Sequence, residues 1–294
     1  MAQTRARGYA PYIPDAKNRA LIDQVIAILL EYEDYLPLTI RQVFYRLVAR
    51  YFFPKTEQDY KRLGEVINRG RRGGYIPWNN IRDDGTTLHE LQTFADADDW
   101  LDEKRNEAQG FMLDRQQGQP KRLFVICEAM GVAPMLAGIA NQYGVGVRSS
   151  GGFDSVTTKR SFAVELAMYP ATEILHLGDF DPSGVHIFSS LRDDVLAFFP
   201  HHSDGPLPIF TRLAVTPAQI AAYGLPTAPP KGTDQRSFDG NETVQLESLD
   251  PKDLTQILRD AIEARQNSRM YRDVLAWEAS ERAGLVAMMG EAGR

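Results

Sequence analysis

The sequence has a single cysteine, Cys127, among 294 residues. One thiol forms no intrachain disulfide and cannot build a cysteine-rich zinc site. This points to a reducing, cytoplasmic setting. Long apolar runs are also missing: none approaches the roughly 20 residues that span a bilayer, so no membrane role is expected. Met1 to Gly8 is basic but lacks an apolar stretch behind it, which argues against a secretion signal. A basic excess is absent too. With 33 Lys and Arg against 39 Asp and Glu, the formal charge is −6. Any nucleic-acid contact must then rest on local basic patches, or on cations held between acids and phosphates. On charge alone a small-molecule enzyme remains an open alternative.

What is present divides into two textures. Residues 16 to about 115 read mainly as helices. Residues 121 to about 215 alternate apolar strands with helices, which predicts an α/β layer with a largely parallel sheet. The break falls near Gln119-Pro120. Two domains are therefore expected, 1–115 and 120–294, the second ending in a helical extension.

The first helix is expected from Asn18 to Tyr32, with Leu21, Val25, Ile28 and Leu29 on one face. The second has a start signal: Thr39 can cap it and Gln42 can return the bond, with Leu38 and Val43 as the hydrophobic staple. It carries Arg41, Phe44 and Tyr45 to about Arg50. The third starts at Thr56, buries Tyr60, Leu63, Val66 and Ile67, and runs into Asn68-Arg-Gly-Arg-Arg-Gly-Gly74. Lys55 to Arg82 holds seven Lys and Arg against three Asp and Glu, a net of +4. Three helices, the last basic and followed by a Gly-rich ribbon, suggest a winged helix-turn-helix with Arg62, Arg69, Arg71 and Arg72 toward a DNA backbone. The alternative is a solvated basic face on an ordinary helical bundle.

In the second segment, the apolar run Arg122 to Cys127 leads directly to Glu128. A second run, Thr172 to Leu177, leads into Gly178-Asp179-Phe180-Asp181-Pro182-Ser183-Gly184. Acids thus end two strands, the edge where open α/β sheets bind ligands. Asp179 and Asp181 are about 6.5 Å apart along an extended chain and point to one side. Three crowded carboxylates repel, so such a site needs a cation or protons. An all-oxygen donor set favours Mg²⁺ or Mn²⁺ over Zn²⁺. The alternative is local: Asp179 caps a turn and Asp181 opens a helix, as Asp-Pro commonly does. Lys159 and Arg160 are further phosphate candidates.

Glu128 followed by the Gly178–Gly184 motif resembles the Toprim domain of type IIB topoisomerases, the family that unites the DNA-cleaving chain of topoisomerase VI with the meiotic double-strand-break proteins. Arg41-Gln-Val-Phe-Tyr45 is similar to the motif on that family's winged helix, whose second aromatic cleaves DNA. Ser150-Gly-Gly-Phe-Asp154 with Thr158-Lys-Arg160, Leu213 to Ile220, Tyr223 to Pro226 and Val244 to Leu249 follow in the family's order. The resemblance implies that Tyr45 attacks a phosphodiester with Arg41 beside it. It also implies that Glu128, Asp179 and Asp181 hold Mg²⁺ on double-stranded DNA. It further implies a homodimer, in which the tyrosine of one protomer meets the acids of the other. Phe44 replaces the family's first tyrosine, and no ATPase module is recognisable, so strand passage would require a separate ATPase subunit. Two other readings stand beside this one. The first is a tyrosine-independent Toprim metal nuclease of a bacterial or phage defence or plasmid-removal system. The second is a non-catalytic DNA-binding protein of the same fold. Without the resemblance, Tyr45 reads as a core aromatic beside Phe44.

Overall fold

The computed structural model describes residues 10–82, 93–149, 156–230, 238 and 240–291, which form a mixed α/β fold. Its first part is helical. Asp15 caps α1 (Ala16–Glu31), accepting from the Asn18 N–H at 2.8 Å. Leu21, Ile22, Val25, Ile28 and Leu29 recur at helical spacing and are buried. β1 (Leu38–Thr39) runs straight into α2 (Ile40–Tyr51), and the expected capping box is present. Thr39 Oγ1 accepts from the Gln42 N–H at 3.1 Å, and Gln42 Oε1 accepts from the Thr39 N–H at 2.8 Å. Leu38 and Val43 are fully buried in the core shared by α1, α2 and α3 (Glu57–Arg72).

α3 ends inside the Asn68–Gly74 stretch, where the sequence placed its end. Asn68 to Arg72 completes the last turn of α3, because Gly70 sits where its missing Cβ leaves room for Ile76. Gly74, at φ +80°, then turns the chain. β2 (Ile81–Arg82) pairs in parallel with β1. Among the described residues of this segment there is no antiparallel ribbon. Residues 83–92 lie outside the described set, as do 150–155 with the expected Ser150–Asp154 loop.

The second part is built on a four-stranded parallel sheet of order β4-β3-β5-β6: β3 (Arg122–Cys127), β4 (Val147–Ser149), β5 (Thr172–Leu177) and β6 (Ile209–Ala214). The central strands β3 and β5 are buried on both faces, which is why they read as continuous apolar runs rather than alternating ones. Before β3 comes α4 (Ala97–Gln109). One sheet face is covered by α5 (Ala133–Ala140) and α9 (Pro251–Glu263). The other is covered by α6 (Val156–Leu166) and α7 (Pro182–Phe198). A short α8 (Pro217–Tyr223) follows β6. The final helix, α10 (Ser268–Glu291), packs along α4, with Arg105 Nε donating to the Met289 carbonyl at 3.3 Å. The helical extension is thus tied back to a helix that precedes the sheet. No helix among the described residues is long and apolar enough to cross a membrane.

The strand order places the site. From β3 the chain goes to β4 on one side, then returns to β5 on the other side of β3. The switch point lies between β3 and β5, and ligands of open α/β sheets bind there, beyond the carboxyl ends of the strands. Glu128 is the first residue after β3, and Gly178-Asp179 are the first after β5.

Candidate functional site

The loop after β5 is packed against Glu128 so tightly that only glycine fits at its two ends. A Cβ on Gly178 would lie 2.5 Å from Glu128 Oε2 and 2.7 Å from His176 Cε1. A Cβ on Gly184 would meet the Asp179 carbonyl, and would lie 3.0 Å from the same Glu128 oxygen. Glu128 Oε2 is buried and has no hydrogen-bond partner. Burial, then the Asp179 and Asp181 carboxylates, push the Glu128 carboxyl up to about 7, against the pull of Arg212. Burial likewise raises Asp179, whose Oδ1 accepts from the Leu246 N–H at 2.8 Å. Asp181 Oδ1 accepts from the Gly184 N–H at 2.6 Å and caps α7, so the local role foreseen for an Asp-Pro pair is realised.

The three acids are therefore electrostatic neighbours, although one oxygen of each aspartate is already bonded to backbone. Among the described residues, no group of three or more His, Cys, Asp or Glu is closed into a ready metal cage. Oxygen-only donors and an orphaned carboxylate oxygen fit a hard cation in chemical type. An ion would have to draw the three side chains together.

Across from the acids stands α2. Arg41, Phe44, Tyr45, Lys55 and Tyr60 from the helical part, with Asp181, Ser183 and Gln245 from the sheet part, line one cleft of about 550 Å³. The resemblance implied a tyrosine facing another protomer's acids, whereas here Tyr45 and Asp181 share a cleft within one chain. Tyr45 is 4% exposed and its hydroxyl donates to Gln245 Oε1 at 2.6 Å. Burial pushes its phenol up to about 12, only partly offset by Arg41. Arg41 Nε lies 3.5 Å from Glu247 Oε2, and its guanidinium sits over the Tyr60 ring. Glu247 is itself buried, and its carboxyl is pushed up to about 7 by burial, with Arg41 pulling the other way.

The two parts are joined here by polar contacts. Arg46 donates to Asp250 Oδ2 at 2.8 Å and to the Ser248 carbonyl at 2.6 Å, Tyr32 donates to Asp250, and Lys55 donates to the Pro226 carbonyl at 2.7 Å.

The basic residues expected to face phosphate divide. Arg69 and Arg160 are exposed, Arg72 is half-buried, and Arg62 is half-buried with an NH2 donating to Asn18 Oδ1 at 3.1 Å. Arg71 is 6% exposed: it donates to the Trp78 carbonyl at 3.1 Å and lies over the Trp78 ring. Lys159, also 6% exposed, donates to Ser190 Oγ at 2.7 Å and Asp194 Oδ2 at 2.6 Å. Both cations are engaged inside the fold.

Sequence reasoning passed over Arg212, Gln245 and Glu247. Arg212 did leave a signal, a lone charge in the interior of the apolar strand Ile209–Ala214. Gln245 and Glu247 lie in the Val244–Leu249 stretch that resembles the family's, but that match assigned neither of them a role, and only the tertiary fold brings them to α2. No protein-family model matches the chain, and no curated protein matches it.

Proposed function

We propose that this chain cleaves DNA phosphodiester bonds with the help of Mg²⁺ or Mn²⁺, using an α/β unit of Toprim type and a helical unit of winged-helix type. The observation that carries the reading is the convergence on one cleft of Tyr45, Arg41 and Asp181, beside the switch-point acids Glu128 and Asp179. Glu128, Asp179 and Asp181 would hold the cation, which would stabilise charge on the phosphate oxygens during in-line displacement. Arg41, 42% exposed at its side chain, is a cation of the cleft lining that can meet an entering phosphate. Tyr45, one helical turn from Arg41, would be the nucleophile.

Incubation with supercoiled plasmid and Mg²⁺ or Mn²⁺ should give broken DNA. Asp179→Ala should lower the rate about 100-fold or more, since several kcal/mol of charge stabilisation is lost. A wild-type chain that leaves plasmid intact with both metals overturns the proposal.

A second reading has an observation in its favour. The Tyr45 hydroxyl is buried, bonded to Gln245 and harder to ionise than free tyrosine, which suits a structural residue better than an activated nucleophile. In that reading water attacks the phosphate and Tyr45 only closes the cleft. Tyr45→Phe separates the two. Loss of cleavage and of protein-linked DNA ends selects the tyrosine, whereas full cleavage by the variant selects water.

A further inference from the structure

Asp179 and Asp181 sit on the loop after β5, close to Glu128 at the end of β3, and a loop needs an external brace to hold charges of one sign together. We infer that Arg212 is that brace: it positions the acid loop for cation binding by gathering its backbone carbonyls. The inference rests on the metal reading above.

Arg212 projects from β6 beside His176 of β5, in register. Its guanidinium donates from Nε to the Val215 carbonyl at 3.2 Å, from NH1 to the Gly184 carbonyl at 3.3 Å, and from NH2 to the Gly178 carbonyl at 3.1 Å and the Asp179 carbonyl. These four carbonyls come from three places: the turn that carries Asp179, the first turn of α7 that Asp181 caps, and the strand exit after β6. One planar group with five fixed donors can serve all of them at once. The Gly178 N–H donates to the Ala214 carbonyl and the Val215 N–H to the Gly178 carbonyl, both at 2.8 Å, so the loop and the end of β6 move as one piece.

Below the guanidinium lie the Phe188 ring at 5.9 Å and, tilted against that ring at 4.8 Å between centroids, His176. His176 is 1% exposed and its Nδ1 has no partner. The floor is thus aromatic and uncharged, with Arg212 as the positive charge between it and the three acids.

Arg212 therefore does two separable things. Its charge offsets the repulsion among Glu128, Asp179 and Asp181, and its four carbonyl bonds fix where the two aspartates start from. A lysine at this position keeps the charge but offers one nitrogen in place of the planar fork. If fixing the loop is the role, lysine does not rescue it.

The test is Mn²⁺ binding by calorimetry on the metal-free full chain, with thermal melting recorded without metal. Wild type should bind Mn²⁺, and Asp179→Ala should abolish the binding. Arg212→Met and Arg212→Lys should both fold and bind about 10- to 100-fold more weakly, the usual cost of removing a residue that orients metal ligands. Wild-type affinity in Arg212→Lys would make charge alone sufficient and overturn the inference, as would wild-type affinity in Arg212→Met. If Arg212→Met fails to fold, the lysine variant decides. If neither variant folds, Arg212 is a residue of the fold at large and the inference falls. A wild-type chain that binds no Mn²⁺ is a different failure, that of the metal reading itself.

Discussion

Glu247 and Glu278 are both buried glutamates, 9% and 2% exposed, and their surroundings drive them in opposite directions. Glu278, on α10, is met by donors. Arg115 reaches it with Nε at 2.9 Å and NH2 at 2.6 Å, the Leu113 N–H at 3.1 Å, and Arg282 from one helical turn away. Bonding to Arg115 leads the effects that hold its carboxyl down at about 2. Glu247 has one guanidinium at 3.5 Å, one hydroxyl at 3.3 Å and the carboxylate of Asp179 nearby, so burial dominates and its carboxyl rises to about 7. The first pattern belongs to an anchor that ties a helix down. The second belongs to the cleft, where charge is left short of partners. Under-satisfied charge of that kind is costly to keep and concentrates where ligands bind.

The sharpest way to break the comparison is to remove the anchor. Glu278→Ala leaves Arg115 and Arg282 without their shared carboxylate, and the loss should be about 3–5 kcal/mol. It should appear as a lower urea midpoint, with Mn²⁺ affinity of the folded chain unchanged because no acid of the cleft is touched. If the midpoint stays at its wild-type value, Glu278 is no anchor and the contrast with Glu247 loses its meaning.

A pH series tests the same pair with opposite signs. The Glu278 carboxyl lies below its ordinary 4.5 in the folded chain. Its contribution is therefore complete above about pH 4.5 and is lost as pH falls toward 2. The Glu247 carboxyl lies above 4.5. Its contribution is complete below about pH 4.5 and is lost as pH rises through about 7. Glu247→Gln removes that loss, so the variant should equal wild type near pH 4 and exceed it at pH 8 by up to about 3 kcal/mol. Urea midpoints at four pH values suffice. A variant less stable than wild type at pH 8 would mean that the Arg41 contact outweighs burial.

How much of this was legible in the sequence depends on how far the cause lies along the chain. Both central strands were read at their observed bounds, because a strand buried on both faces is a local apolar run. The Thr39–Gln42 box was legible for the same reason, three residues apart. The burial of Arg71 and Lys159 was not legible because a sequence shows a charge but not its partner, which here is a carbonyl of Trp78 and a carboxylate 35 residues away. Arg212 bonds carbonyls up to 34 residues distant, and Glu247 meets Thr39 across 208. That Glu128 comes from a strand next to the one ending at Asp179 was foreseen from acids closing two apolar runs, and β3 does pair with β5; the full order β4-β3-β5-β6 was not foreseen.

The smallest effect probes where the two regions meet. Thr39 Oγ1 accepts from the Gln42 N–H at 3.1 Å, as a cap, and donates to Glu247 Oε1 at 3.3 Å. Thr39→Ala removes both and should cost about 1 kcal/mol, the usual worth of a cap. Combining it with Glu247→Gln separates the two roles. If Thr39 acts only as a helix cap, the two changes should add to within about 0.5 kcal/mol at pH 8. A larger coupling would mean that the hydroxyl also satisfies the Glu247 carboxylate, and that the start of α2, which carries Arg41 and Tyr45, is set by the charge state of the cleft. The long 3.3 Å contact and the raised Glu247 carboxyl both favour near-additivity.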